Sequence, residues 1–477
     1  MIFRIQHYVV VLVITALSCA AAAAQDRPSV PQLPSSSPFM GGVPQGTASA
    51  EPLKLSIADA IRRALDRNLG VLQAEESVDR SKAARWLALS ELLPHVNGSV
   101  SEARRTTNLE AFGFPLSRFP GAAGIGPVVG PFNVFDARLF VSQALLDLSA
   151  VSDTRAETYN VAAANHEYRS ARDLVVLVSA NLYLQALAAA ARADTARSQL
   201  ETSQALYMQA QDLRQSGIVA GLDVVRAEVR LSADRQRATA AANDSEKTKL
   251  QLARVIGLPP GQEFILSDAL PEVPVPDMTL QEALDRAYRE RPDFLAAQER
   301  VRAAEWSRAA VRAELYPTVR VDADYGAIGL TASSALATFN VIGILNVPIF
   351  QGGRVQARLA RAEVDVRNRR SELENLRGEV YYDVRSAFLD LQATGEELQT
   401  ATRSRDLANQ QLAQSRDRFA AGVANNIEVV QAQEAVTLAN EQYISALYGY
   451  NVSKALLARS LGTAESAVER FLGGARP

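Results

Sequence analysis

Two stretches, RQSGIVAGLDVVRAE at 214–228 and FAAGVANNIEVVQAQ at 419–433, carry the same succession of helix, glycine break and helix, about 205 residues apart. Gly217 and Gly422 suit the left-handed backbone that ends helices, so each stretch reads as the tip of a helical hairpin. The match extends in both directions. IADAIRRALDRN from Ile57 aligns with LQEALDRAYRER from Leu280, and SELLPHV at 90–96 aligns with AELYPTV at 313–319, both at an offset of about 223. ARVIGL at 253–258 aligns with ARSLGT at 458–463 at an offset of about 205, so the first copy holds about 18 extra residues between Pro94 and Ala150. This is one duplication of a large unit, not a short-period solenoid. The copies span 53–258 and 278–463, with a Pro-rich linker at 259–277 and a tail at 464–477.

Each copy has the same internal order. A helical pattern broken once, at Asn68-Leu69-Gly70 or Arg291-Pro292-Asp293, ends at Pro94 or Pro317. The period then shortens to two. Val319, Val321, Ala323 and Tyr325 face one way, with Thr318, Arg320, Asp322 and Asp324 opposite. Phe339, Val341, Gly343, Leu345 and Val347 form a second apolar row, and in copy one Phe135, Ala137, Leu139 and Val141 oppose Asp136, Arg138 and Ser142. Four strands are expected, at about 95–105, 133–143, 318–326 and 338–348, of the length that crosses a hydrocarbon core at a tilt. The loop of copy one, 106–132, is long and dense in Gly and Pro.

Very long helical patterns follow, uninterrupted by proline, at 151–216 and 354–421, each roughly 100 Å long at 1.5 Å per residue. A 3.5-residue stripe runs through Val380, Val384, Ala387, Leu391, Thr394, Leu398 and Ala401. Return helices end at Gly257 and Gly462, so the long helical parts cover 151–257 and 354–462. Residues 174–191 have no charge and pass the length test for a membrane helix, but the copy-two equivalent carries Asp383, Arg385 and Asp390. A packed helical column accounts for both.

Composition narrows the function. A net charge of −3 argues against a nucleic-acid partner. His7, His95 and His166 are scattered, no metal-ligand spacing occurs, and no GxxxxGKS/T loop is present, which argues against an enzyme, a cofactor site or a chain that powers transport itself. Residues 1–24 read as an export signal with cleavage after Ala24. Cys19, the one cysteine, follows Ala16-Leu17-Ser18 and offers lipidation as the alternative processing; either way no disulfide can form. Residues 25–52, rich in Pro, Ser and Gly, read as a flexible lead-in.

Four strands with one lipid-compatible face leave two open edges, which a bilayer does not tolerate, so one chain cannot close the wall. Two chains give a barrel just wide enough for side chains; three give twelve strands and a channel. The duplication, NVPIFQGGR at 346–354 where a strand passes into a long helix, and the two glycine breaks together resemble the TolC-like outer-membrane efflux proteins, over about Leu55 to Gly462. The resemblance implies a chain that is mainly α with a membrane β-barrel part: a homotrimer with a twelve-stranded β-barrel in outer-membrane lipid and a long α-helical barrel in the periplasm. It also implies a periplasmic adaptor and an inner-membrane pump of RND or ABC type that drives export of small molecules or polypeptides. Alternatives are a structural periplasmic coiled coil without a barrel, or an adaptor.

Pro94 and Pro317 mark helix-to-strand junctions, and Pro348, Gly352 and Gly353 the strand-to-helix junction, where copy one has Leu148-Ser149 instead of the glycine pair. At the tips, Gly217, Ile218, Val219, Ala220, Gly221, Gly422, Val423 and Ala424 present short apolar side chains that an adaptor would cover, or that neighbouring hairpins would cover. Asp223 and Glu428 sit just past the breaks, where the helix dipole favours an acidic residue and Asn426 offers a cap. In the family an acidic pair one helical turn apart forms a periplasmic constriction. Glu428 matches its first member, whereas the second falls on Gln431, so the resemblance implies a weaker ring.

Overall fold

The computed structural model describes residues 34, 36–113, 126–217, 220–272, 278–421, 423 and 426–466. Cys19, the signal, Ile218, Val219, Gly422, Ala424 and most of the 464–477 tail lie outside the described residues. The chain forms two compact units, one of 76–167 and 293–376, the other of 1–75, 168–292 and 377–477.

In the second of these units, α1 (Ile57–Arg67) and α2 (Leu69–Ser90) in copy one correspond to α5 (Leu280–Glu290) and α6 (Pro292–Ala313) in copy two, where α2 and α6 continue into the other unit. The same chemistry starts α1 and α5. Ser56 caps α1 by accepting from the Asp59 N–H, and Thr279 and Glu282 form a reciprocal capping box at α5. The breaks also match. Asn68 and Arg291 both leave the helical region, with ψ of 129° and 115°. Buried Asn68 holds its break by accepting from the Gly70 N–H at 2.9 Å and donating to the Phe39 carbonyl at 2.9 Å. Gly257 and Gly462 then end the return helices α4 (Gly221–Val255) and α8 (Asn426–Ser460) with φ of +65° and +73°. Each glycine presses on a break: a Cβ would lie 2.8 Å from Arg67 Cβ at the first and 2.5 Å from Arg291 Cα at the second.

Around the copy-one joint lies a core built from α1, β1 (Leu53–Leu55), α3 (Leu148–Gln215), α4 and β4 (Phe264–Leu266). The uncharged run at 174–191 supplies much of it. By length and composition α3 is apolar enough to cross a membrane, but 72% of its most apolar window is buried in the protein, including Val175, Tyr183 and Leu184. One reading is extended here, that of the Pro-rich linker, and one is corrected, that of the flexible lead-in. The linker at 259–277 contains β4, which pairs in parallel with β1, and Asp268 just beyond it accepts hydrogen bonds from the Tyr183 hydroxyl at 2.9 Å and the Ile57 N–H at 2.7 Å. Burial and the Asp268 carboxylate push the Tyr183 phenol well above its ordinary pKa. In the lead-in at 25–52, Phe39 and Met40 pack on the core. These side chains, with hydrogen bonds from the Val43 N–H to the Arg67 carbonyl at 2.9 Å and from the Leu69 N–H to the Gly41 carbonyl at 3.0 Å, dock a Pro-rich segment whose composition reads as a tether.

In the other unit β2 (His95–Asn108), β3 (Val128–Leu146), β5 (Thr318–Gly329) and β6 (Leu336–Asn346) form one antiparallel sheet in that order. The register stacks one apolar row across all four strands: Val96 opposite Val141, Leu139 opposite Tyr325, and Tyr325 opposite Phe339. The other face carries an ionic network in which Arg138 contacts Asp136 and Asp324 at 2.5 and 3.2 Å and the Ser142 hydroxyl donates to Asp322 at 2.6 Å. The copy-one strands run beyond the expected nine to eleven residues, to 14 and 19. Part of the long loop is ladder: Val128 and Val129 pair with Asn108 and Thr107 past a register shift. β-branched valines override the Gly/Pro bias there. Beyond the sheet, Gly352 and Gly353 adopt positive φ before α7 (Arg354–Ala420), whereas at Leu148 the α3 helix begins directly.

Gly462→Ala combines positive φ with a backbone clash and is expected to cost about 1–3 kcal/mol. Gly378→Ala, in mid-α7 with open space around it, stabilises by up to about 1 kcal/mol. Thermal unfolding in detergent checks both; equal midpoints would contradict the packing described. Fully buried Lys454 lies 4.9 Å from the Tyr450 ring, and burial pushes its ammonium down to about 8. A lowered lysine pKa makes the folded state hold the charge at a cost of about 3 kcal/mol near pH 7, a cost that disappears as pH rises from about 8 to 10.5. The unfolding temperature of the wild type should therefore rise over that window relative to Lys454→Met, and parallel profiles would refute the assignment.

Candidate functional site

Both hairpin tips belong to the same compact unit. At the first, α3 ends at Gln215 and Gly217 takes φ of +72°, its N–H donating to the Arg214 carbonyl at 2.9 Å. A left-handed residue is what turns the chain, and glycine adopts it without strain. Ala220 precedes α4 without a side-chain cap, and Asp223 follows in the first turn, where the dipole favours its charge. Asp223 is held by Arg226 at 3.4 Å. At the second tip the Val423 N–H donates to the Arg418 carbonyl at 3.0 Å, and α8 starts at Asn426. Asn426 is thus the first helical residue, not the residue before the helix. Glu428 lies in that first turn and pairs with Arg418 across the hairpin at 3.3 Å, one carboxylate tying α8 back to α7.

Asp223 and Gln431 come together on the wall of one cavity of about 900 Å³ between the two hairpins, with Leu206, Leu213, Ile427 and Val430 giving it apolar sides. Glu428 does not line it. Exposed Leu222 and Val423, at 58% and 69%, lie at the two tips. The junction residues Pro94, Pro317, Pro348, Gly352 and Gly353 lie in the other unit, next to the sheet.

The residues that tie the two hairpins together were not singled out from the sequence. Arg230 on α4 reaches Glu434 on α8 at 2.7 Å and Asp234 on its own helix at 2.9 Å. Asp234 is 1% exposed and is held further by Arg237 at 3.1 Å and by the Ser203 hydroxyl of α3. The two contacts of Arg230 differ in weight. Glu434 is half exposed, and exposed pairs contribute about 0–1 kcal/mol. Asp234 is a buried carboxylate whose charge is compensated, among the described residues, by these partners. The i,i+4 and i,i+3 spacings of Arg230, Asp234 and Arg237 are readable in sequence. So is the near-equivalence of Arg230 and Glu434, whose separation of 204 almost equals the repeat offset. Among the described residues, no group of three or more His, Cys, Asp or Glu side chains could hold a metal ion.

A family model described as outer membrane efflux protein matches residues 60–258 and 283–463. The toluene efflux pump outer membrane protein TtgF of Pseudomonas putida is 25% identical over an alignment of 497 residues, covering 96% of each chain. The outer membrane protein OprJ of Pseudomonas aeruginosa is 23% identical over 479 residues and 94% of each chain. Among solved structures, the Campylobacter jejuni CmeC outer membrane channel superposes with a TM-score of 0.72 at 16% identity, over 92% of this chain and 94% of that one.

Asp234→Ala takes from the mostly buried Arg230 its buried carboxylate partner, leaving only the half-exposed Glu434, and is expected to lower stability by about 3 kcal/mol, against at most about 1 kcal/mol for Glu434→Ala. Hydrogen exchange along α3 and α4 locates the loss, and equal effects of the two substitutions would show that the buried carboxylate is not the anchor.

Proposed function

The chain belongs to the outer membrane efflux protein family, as an outer-membrane efflux channel extending into the periplasm, and we propose that it works as a homotrimeric, passive conduit. The observation that carries this reading is the sheet. Its apolar row suits lipid, its opposite face carries Arg138, Asp136, Asp322 and Asp324, and β2 and β6 each present one unpaired edge. Three copies joined edge to edge give twelve strands around a wet interior. The long helices of the three copies form the periplasmic barrel.

The hairpin tips are the periplasmic entrance in this reading. Three Glu428 carboxylates, one per copy, make a ring that attracts cations, with Asp223 a second contributor and Gln431 a neutral position one turn on. Arg418 partly neutralises each Glu428, so the ring holds less charge than three free carboxylates. Gly217, Ile218, Val219, Ala220, Gly221, Gly422, Val423 and Ala424 form the contact surface for a periplasmic adaptor, supported by the exposure of Val423 and Leu222 at the tips. An inner-membrane pump of RND or ABC type supplies the energy. The cargo class the channel would carry is small apolar compounds, by similarity to the toluene efflux pump outer membrane protein TtgF.

In planar bilayers at low salt, Glu428→Ala should lower the preference for cations over anions, and Asp223→Ala should do so to a smaller degree. Unchanged single-channel records for both would remove these residues from the gate.

A further inference from the structure

The cavity between the hairpins is more than a packing gap. Its volume of about 900 Å³ falls in the range of small-molecule sites. Among the described residues, two of its lining residues keep a buried donor without an acceptor: Gln433, 3% exposed, at Nε2, and Arg230 at Nη2, the one guanidinium nitrogen not used for Asp234 and Glu434. A buried N–H left without an acceptor costs about 1–3 kcal/mol, so an incoming acceptor recovers that cost. Arg416, also on the wall, makes no ion pair among the described residues, whereas the one lining carboxylate, Asp223, is already held by Arg226. The charged groups of the wall are therefore three guanidiniums, Arg226, Arg230 and Arg416, against one carboxylate. Its apolar part is aliphatic, from Leu206 and Leu213 on one hairpin to Ile427 and Val430 on the other.

We propose that this cavity binds an amphipathic organic anion, a carboxylate or sulfonate on an apolar body. Its head group sits against Arg230, Gln433 and Arg416, and its body lies between the aliphatic side chains of both hairpins. Turning the Gln433 amide about its soft terminal torsion brings Nε2 to the anion. Because α3 and α4 supply one wall and α7 and α8 the other, the ligand favours the arrangement in which the hairpins are held together. Resting on the channel reading for its consequence alone, the bound anion lowers the open fraction of the conduit.

The test uses 2-naphthalenesulfonate as probe, titrated calorimetrically into the full-length protein in nanodiscs, with empty nanodiscs as blank and 2-methylnaphthalene as the neutral comparison. One saturable site per chain is expected. Arg416→Ala and Gln433→Leu should each weaken binding about tenfold, the equivalent of one lost charge-assisted hydrogen bond. Gln433→Leu serves as its own fold control, since removing an unsatisfied buried donor should leave the unfolding temperature equal or higher. Absence of a saturable site, equal binding of the neutral probe, or full affinity in both variants would each overturn the proposal; so would a neighbouring copy filling the cavity, which reads out as no binding. Binding is measured without ion flow, so a protein that binds the sulfonate but conducts no ions would sink the channel reading and leave the site standing. Conduction with no saturable binding would do the reverse.

Discussion

The constraint on which the rest of the structure depends is that backbone polar groups in hydrocarbon must find partners within protein. The four-stranded sheet satisfies every internal ladder, from β2 through β3 and β5 to β6, and leaves one row of N–H and C=O groups at each outer strand. In the proposed channel, the apolar row crossing the sheet through Val141, Leu139, Tyr325 and Phe339 faces lipid, where water cannot satisfy the edges. On that proposal each chain holds part of a wall, and the ionic face built by Arg138, Asp136 and Asp324 becomes the lining only when other copies complete it.

Duplication explains why so much of the helical part could be read in advance. The offset of about 223 pairs Ser56 with Thr279, Asn68 with Arg291 and Leu69 with Pro292, and in the structure each pair does the same work: cap, break and restart. Gly257 and Gly462 likewise lie against corresponding breaks. These features depend on local backbone chemistry, which a sequence displays directly. The alternation of side chains in the strands is local as well, and it sorted Tyr325 and Asp324 to opposite faces.

What was not legible depends on contacts between distant segments or on single side chains within a biased composition. The pairing of β3 with β5 joins the two copies across about 180 residues, and alternation carries no information on which edges meet. The valines at 128 and 129 lie in a stretch whose glycines and prolines argue for a loop, yet they extend the ladder. Phe39, Met40 and Asp268 were hidden in Pro-rich segments for the same reason. At the tips, Asp223 and Glu428 stood out because they follow a glycine break. The cluster around Asp234 did not, since buried charge at the level of one helical turn looks like an ordinary solvated face until the partners Arg230, Arg237 and Ser203 are seen around it. The acidic tip residues thus keep partly exposed carboxylates, while Asp234 is buried among its partners Arg230, Arg237 and Ser203.

The most direct test of the central claim is the mass of the folded protein released from outer membranes in mild detergent, measured by native mass spectrometry. Closure of the two sheet edges by neighbouring copies predicts a stable assembly of three chains. A folded single chain that retained its β structure in detergent would contradict it, because the edges of β2 and β6 would then be open in a setting that does not permit them.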